Sequence, residues 1–163
     1  MILWLAQGFG IGRIPFAPGT FGSALGVLWV ILLVATANFW IYLGGLLITI
    51  ALSIWLCGAA EKILKQTDPS SVVLDEIAAM PVCFLPWVAK AWFQQGHMPE
   101  PESFFSSDLW PRTLLVFVLF RFFDILKPWP VRQSQKLAGG WGVTVDDVLA
   151  GTYVGGLTLL FLR

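Results

Sequence analysis

Two adjacent carboxylates, Asp146 and Asp147, stand at the head of an apolar run that continues to Leu162, and no other stretch limits the possible folds as strongly. At 1.5 Å per residue this run is long enough to cross a bilayer as a helix. A carboxylate at the centre of such a helix costs about 2.5–3.5 kcal/mol even on a lenient insertion scale, so an acid there points to function. The pair is expected in the first turn, near the membrane surface, where the positive end of the helix dipole favours an anion. Asp147, Gly151 and Gly155 recur at every fourth position, so the carboxylate shares a face with small residues that admit a neighbouring helix. The acids therefore point into a bundle.

Composition fixes the solvent. Hydrophobic residues make up 57% of the 163 and charged ones 12%, with a mean hydropathy of +0.77, whereas a soluble domain carries about a quarter charged residues. The length predicts one domain over 1–163. Zero formal charge and the lack of a basic run exclude a nucleic-acid surface. Cys57 and Cys83 lie in apolar segments without metal-ligand spacing and read as small core hydrophobes. The first seven residues have neither a basic region nor a cleavage site, so no removed signal peptide is expected.

Residues 1–23 hold Gly8, Gly10, Gly12, Pro15, Pro18, Gly19 and Gly22, which predicts an irregular loop. Arg13 is its only charge, and Thr20 and Ser23 add hydroxyls, which suits a loop that closes around an anion as well as it suits a plain entry loop. Apolar segments over about 21–37 and 39–60, parted only by Thr36-Ala37-Asn38, read as two membrane helices with a tight turn. A polar connector over 61–70 leads to a third span, about 71–93, capped by Ser70 or Ser71 and opened by Asp75 and Glu76. Pro81 and Pro86 are expected to kink or divide it. Residues 94–112 form a polar segment with His97 beside Glu100, Glu102 and Asp108, and a lone histidine there reads as solvated and not catalytic. The fourth span, 113–126, carries Arg121 and Asp124 three apart, able to pair. Lys127-Pro-Trp-Pro-Val-Arg132 then predicts an extended, rigid segment holding Lys127 and Arg132 near the surface, with Trp129 as an interfacial anchor. The fold expected is all-α, an integral membrane bundle of about five transmembrane helices with a glycine-rich N-terminal cytoplasmic loop.

Five crossings place Arg13, Lys62, Lys65, Lys127, Arg132 and Lys136 on one side and Lys90, Arg112 and Arg163 on the other, so the first side is cytoplasmic. All of Asp75, Glu76, Asp124, Asp146 and Asp147 then fall toward that face. Crowded carboxylates repel unless a cation intervenes. A magnesium ion satisfies such a cluster, bound by one or two carboxylates, waters and a substrate phosphate, while Arg13, Arg121, Lys127 and Arg132 clamp the phosphate. The reading is a phosphoryl site in which the metal lowers the pKa of a water and a spare carboxylate acts as base. All five acids are candidate catalytic groups, Glu76, Asp146 and Asp147 the expected metal ligands, and Arg13, Thr20, Arg121, Lys127 and Arg132 the expected substrate contacts. The bland alternative, strongest for Arg121 with Asp124, is that acids and bases merely tie helices together.

Four segments resemble the bacterial phosphatidylglycerophosphatase A proteins: Gly8-Phe-Gly-Ile-Gly with Ala17-Pro-Gly-Thr-Phe-Gly-Ser23; Val73-Leu-Asp-Glu76; Phe120-Arg-Phe-Phe-Asp-Ile-Leu-Lys-Pro-Trp-Pro-Val-Arg132; and Gly139 through Gly151. The resemblance implies a magnesium-dependent phosphatase of the inner membrane that removes the terminal phosphate of phosphatidylglycerol phosphate. It carries over Asp75, Glu76, Arg121, Asp124, Lys127, Arg132, Asp146 and Asp147, without assigning their individual roles. The partner implied is a phospholipid in the membrane; oligomeric state is left open. The main rival is an ion- or proton-coupled transporter, since buried acids also mark ion paths, but transporters hold them near the midplane, often in repeated halves. Here they gather at one surface, and no repeat is visible. An enzyme joining lipid head groups would need a longer series of spaced aspartates, and a non-catalytic subunit would tolerate Asp147→Asn.

Overall fold

The computed structural model describes residues 1–107 and 109–161. Asp108, Leu162 and Arg163, each used in the sequence reading, lie outside those residues. The helices are α1 (Ile2–Ala6), α2 (Pro18–Val34), α3 (Phe39–Leu64), α4 (Leu74–Lys90), α5 (Trp110–Leu126), α6 (Val131–Ser134) and α7 (Gly140–Phe161), with no strand among the described residues. The five long helices match the five apolar segments expected from the sequence.

α4 is the axis of this arrangement. Asp75 through Pro81, Cys83, Phe84 and Val88 are buried, on every face of the helix, because α2 and α7 press on it from two sides. They approach through glycine. A Cβ at Gly22 would lie 2.7 Å from Val73 and one at Gly26 2.5 Å from Met80, while Gly151 and Gly155 of α7 lie against the Ala79 and Val82 carbonyls. The face shared by Asp147, Gly151 and Gly155 therefore does turn into the bundle. α3 joins α7 by a buried hydroxyl pair, Ser53 with Thr144 at 2.8 Å, and its start is capped by Asn38, whose side chain accepts from the Trp40 and Ile41 amides.

Two helices, α3 and α7, are long and apolar enough to cross a membrane. α2, α4 and α5 have 17 residues each, about 26 Å at 1.5 Å per residue and slightly short of the roughly 30 Å hydrocarbon core. Only 28% of the most apolar window of α3 is buried. Trp40, Ile41, Leu47, Ile48, Leu52 and Trp55 face outward from it, as Leu114, Val118, Phe122 and Ile125 do from α5. An apolar exterior of that extent marks a surface that meets lipid.

Several local expectations change. Residues 1–23 are not an irregular loop: α1, a 3-10 turn over Gly8–Arg13 with left-handed Phe9 and Gly10, and the start of α2 occupy most of them. Gly19 and Gly22 serve packing there, and Pro18 suits the first helical turn. α4 runs undivided through Pro81 and Pro86; the buried Tyr42 hydroxyl donates to the Pro81 carbonyl at 2.7 Å, and Gly155 brings α7 onto the Val82 carbonyl, which loses its helical donor to Pro86. Its cap is Val73, not Ser70 or Ser71, and the Val73 amide donates to Ala6 O at 3.0 Å. α7 begins at Gly140, so Asp146 and Asp147 lie in its second turn, not its first. A Cβ on Gly140 would fall 1.9 Å from the Ile54 carbonyl, a close approach that sets where α7 starts against α3. Lys127 to Arg132 is not extended: left-handed Lys127 ends α5, and α6 follows at Val131. The polar segment 94–112 also contributes to the core: Phe104 is buried with its ring 5.5 Å from Phe84 and 5.1 Å from Trp87.

Candidate active site

The first turn of α4, the last turn of α5 and the second turn of α7 meet at one end of the bundle, around a cleft of about 300 Å³. Asp75, Glu76, Arg121, Asp124, Lys127, Asp146 and Asp147 all line it, so all five expected acids and two of the expected phosphate contacts come together. The five carboxylate side chains are buried. His97 is exposed and hydrogen-bonds locally to the Met98 carbonyl.

Within the cleft the charges divide into two groups. In the first, Arg121 reaches Asp124 at 2.9 Å, Lys127 reaches Asp124 at 3.2 Å, and Lys127 also holds Asp146 in a short contact. Asp146 accepts in addition from the Asp147 amide at 3.1 Å. Burial would push the Lys127 ammonium down, but Asp124, Asp147 and Asp146 outweigh it and push it up, so the ammonium keeps its charge. Ser23 of α2 steadies the other cation: its hydroxyl donates to Gly19 O at 2.8 Å and accepts from Arg121 at 3.3 Å.

The second group is Asp75, Glu76 and Asp147, whose nearest oxygens all lie within 4.8 Å of one another. Only Glu76 reaches a cation, Arg121 at 3.5 Å. Asp75 Oδ1 and Glu76 Oε2 are buried without a hydrogen-bond partner, although buried acceptors are satisfied in the great majority of cases. Three hard oxygen donors, close together and partly orphaned, fit a small divalent cation. The trio differs from the set expected from sequence: Asp75 joins Glu76 and Asp147, and Asp146 is committed to Lys127.

Three expected substrate contacts stand outside the cleft lining. Arg13 is exposed and donates to Gln7 Oε1 at 2.9 Å; Arg132 is exposed on α6; Thr20 is one residue past the cleft. Gly19 occupies the place given to Thr20. A Cβ on Gly19 would lie 2.2 Å from Glu76 Oε1 and 3.0 Å from Arg121, so the α2 backbone forms the wall over these two side chains. Pro18, Gly19, Asp68 and Ser70 line the cleft without having been singled out as site residues. The signal for Gly19 was its place in the glycine-rich start, where hydroxyls drew attention instead.

The family description phosphatidylglycerophosphatase A matches residues 4–162. The chain belongs to that family. A Haemophilus influenzae phosphatidylglycerophosphatase A is 35% identical over 150 residues, covering 91% of this chain and 81% of the relative. The Escherichia coli protein of the same name is 30% identical over 155 residues, covering 94% of this chain and 78% of the relative. A Bacteroides thetaiotaomicron protein provisionally named a phosphatidylinositol-3-phosphatase is 35% identical over 153 residues, covering 91% and 86%. No solved structure gives a significant match. Membership makes the chain a phosphatase, a phosphoric monoester hydrolase of phospholipid biosynthesis, and together with the apolar helices it makes the protein membrane-associated.

Proposed function

We propose that the protein hydrolyses the terminal phosphate of phosphatidylglycerol phosphate, in a magnesium-dependent reaction at the cytoplasmic face of the bacterial inner membrane. The observation that carries this is the trio Asp75, Glu76 and Asp147, with orphaned oxygens, beside two cations in one cleft. A magnesium ion held by that trio would supply Lewis acidity toward the phosphoryl group and lower the pKa of an attacking water. Arg121 and Lys127 present their donors to the phosphoryl oxygens as charge builds on them. Asp124 and Asp146 have both oxygens engaged, so their part is to position these cations. Asp75 Oδ1 and Glu76 Oε2 remain open to an ion or to the proton released by water. Water adds to phosphorus, the ester oxygen leaves with a proton, and phosphatidylglycerol and inorganic phosphate result.

All five long helices cross the membrane in this reading, the three shorter ones with local thinning of the bilayer. The excess of basic residues at the cleft's end of the bundle supports a cytoplasmic orientation for it. Acids grouped at helix ends support hydrolysis over ion transport, which would hold them near the midplane. Phosphate release from phosphatidylglycerol phosphate by the purified protein in detergent, with magnesium and with excess chelator, is the test. Activity only with magnesium is the expected result, and full activity in chelator would refute the mechanism. The Bacteroides relative motivates a parallel assay with phosphatidylinositol 3-phosphate, in which slower turnover is expected.

A further inference from the structure

A second cavity lies just beyond the cleft on the lipid side. It is an open groove of about 360 Å³ between α5 and α7, lined by Phe123, Pro130, Leu149, Tyr153, Gly156 and Leu157 among others. Its walls are fixed: the Tyr153 hydroxyl donates to the Trp129 carbonyl at 2.7 Å, and the Tyr153 ring stacks on Phe123 at 5.6 Å. Its floor is open at Gly156, where a Cβ would meet nothing within 4 Å.

The groove runs along the α7 face that carries Asp146. At 3.6 residues per turn, Asp146, Tyr153 and Leu157 fall within about 20° of one line along α7, with Tyr153 about 10 Å deeper than the carboxylate. Phe123 and Pro130 bracket the stretch that carries Asp124 and Lys127, and the Tyr153 hydroxyl meets the Trp129 carbonyl two residues past Lys127, so the groove and the cleft flank the same turn. A ligand with an anionic end in the cleft and an apolar tail would lay that tail along this stripe, away from the charged end of the bundle. A phospholipid has that shape.

We infer that the groove seats an acyl chain of the lipid substrate, with its phosphate at Arg121 and Lys127 and the chain running past Tyr153 toward Gly156; this rests on the lipid-phosphatase reading above. The groove then makes chain length matter to an enzyme whose chemistry lies wholly at the head group.

Gly156→Leu projects into the groove from a position where a Cβ meets nothing within 4 Å, and leucine is the better helix former, so the variant should fold. Gly44→Leu on α3, also free of neighbours, is the control for added bulk elsewhere on the apolar surface. Each protein is assayed in mixed micelles on phosphatidylglycerol phosphate with eighteen-carbon and with six-carbon chains. In Gly156→Leu the ratio of long-chain to short-chain kcat/KM should fall about tenfold, as loss of an apolar subsite does, while Gly44→Leu keeps the wild-type ratio. An unchanged ratio in Gly156→Leu overturns the inference while wild-type turnover upholds the lipid-phosphatase reading. Equal loss on both substrates, accompanied by a changed oligomeric mass, overturns it in favour of a second copy of the chain in the groove. Wild-type inactivity on both substrates sinks the reading and the inference together.

Discussion

The two halves of the acidic cluster are built on opposite principles. Arg121, Asp124, Lys127 and Asp146 form an alternating chain in which every charge has an opposite neighbour. Asp75, Glu76 and Asp147 sit equally buried, with one contact to a cation at 3.5 Å and two oxygens without a partner. Buried like charges disfavour one another, so the trio is held together by the packing of α4 against α7 and not by its own electrostatics. The first half holds itself; the second is left open for what the reaction brings. In the proposed mechanism that contrast separates the acids that would hold the metal from those that would position the cations.

The largest effect should follow from breaking the open half. Magnesium is expected to protect the wild type against thermal unfolding, and Asp147→Asn is expected to remove that protection and to lower kcat on the order of 10³-fold or more. Its thermal midpoint in chelator should match or exceed the wild type's, because one of three repelling charges is gone. Gly19→Ala comes next: a methyl 2.2 Å from Glu76 Oε1 must push the carboxylate aside, and such displacements cost about 10²-fold in rate. Activity with a normal magnesium dependence would show instead that the wall gives way.

Asp124→Asn tests the compensated half. It takes one acidic partner from each of Arg121 and Lys127, which keep Glu76 and Asp146, so the midpoint should fall, by the equivalent of at most about 3 kcal/mol, with activity down about 10–100-fold through loss of positioning. A midpoint that rises in Asp124→Asn and falls in Asp147→Asn would invert the comparison. Arg13→Ala should change kcat/KM by no more than about twofold, since an exposed side chain outside the cleft is a mild site. A loss as large as that of Gly19→Ala would bring the N-terminal segment into the cleft after all.

Much of this was legible in the sequence because lipid limits what a chain can do. Apolar length marked the five long helices, and their alternation brought Asp75, Glu76, Asp124, Asp146 and Asp147 to one end before any coordinate was known. What the pattern did not carry was orientation around each helix. Asp146 and Asp147 are neighbours in sequence, yet 100° apart on a helix, so one faces Lys127 and the other joins Asp75 and Glu76. Thr20 and Gly19 differ in the same way. Charge alone also does not say that Arg13 and Arg132 are exposed and outside the cleft lining. The segment 1–23 was misread because glycine breaks a helix in water but lets one approach another inside a bundle, and Gly19 and Gly22 do the latter.

The Val73 amide at the head of α4 is held by Ala6 O, and Gln7 donates to the Ser71 hydroxyl at 3.3 Å. The amino-terminal turn is therefore a fastening for the two residues that immediately follow Leu74. Trimming those first residues, or welding a rigid fusion partner onto them, would let the head of that helix fray and swing Asp75 and Glu76 out of register with Asp147, although nothing in the deleted stretch touches phosphate.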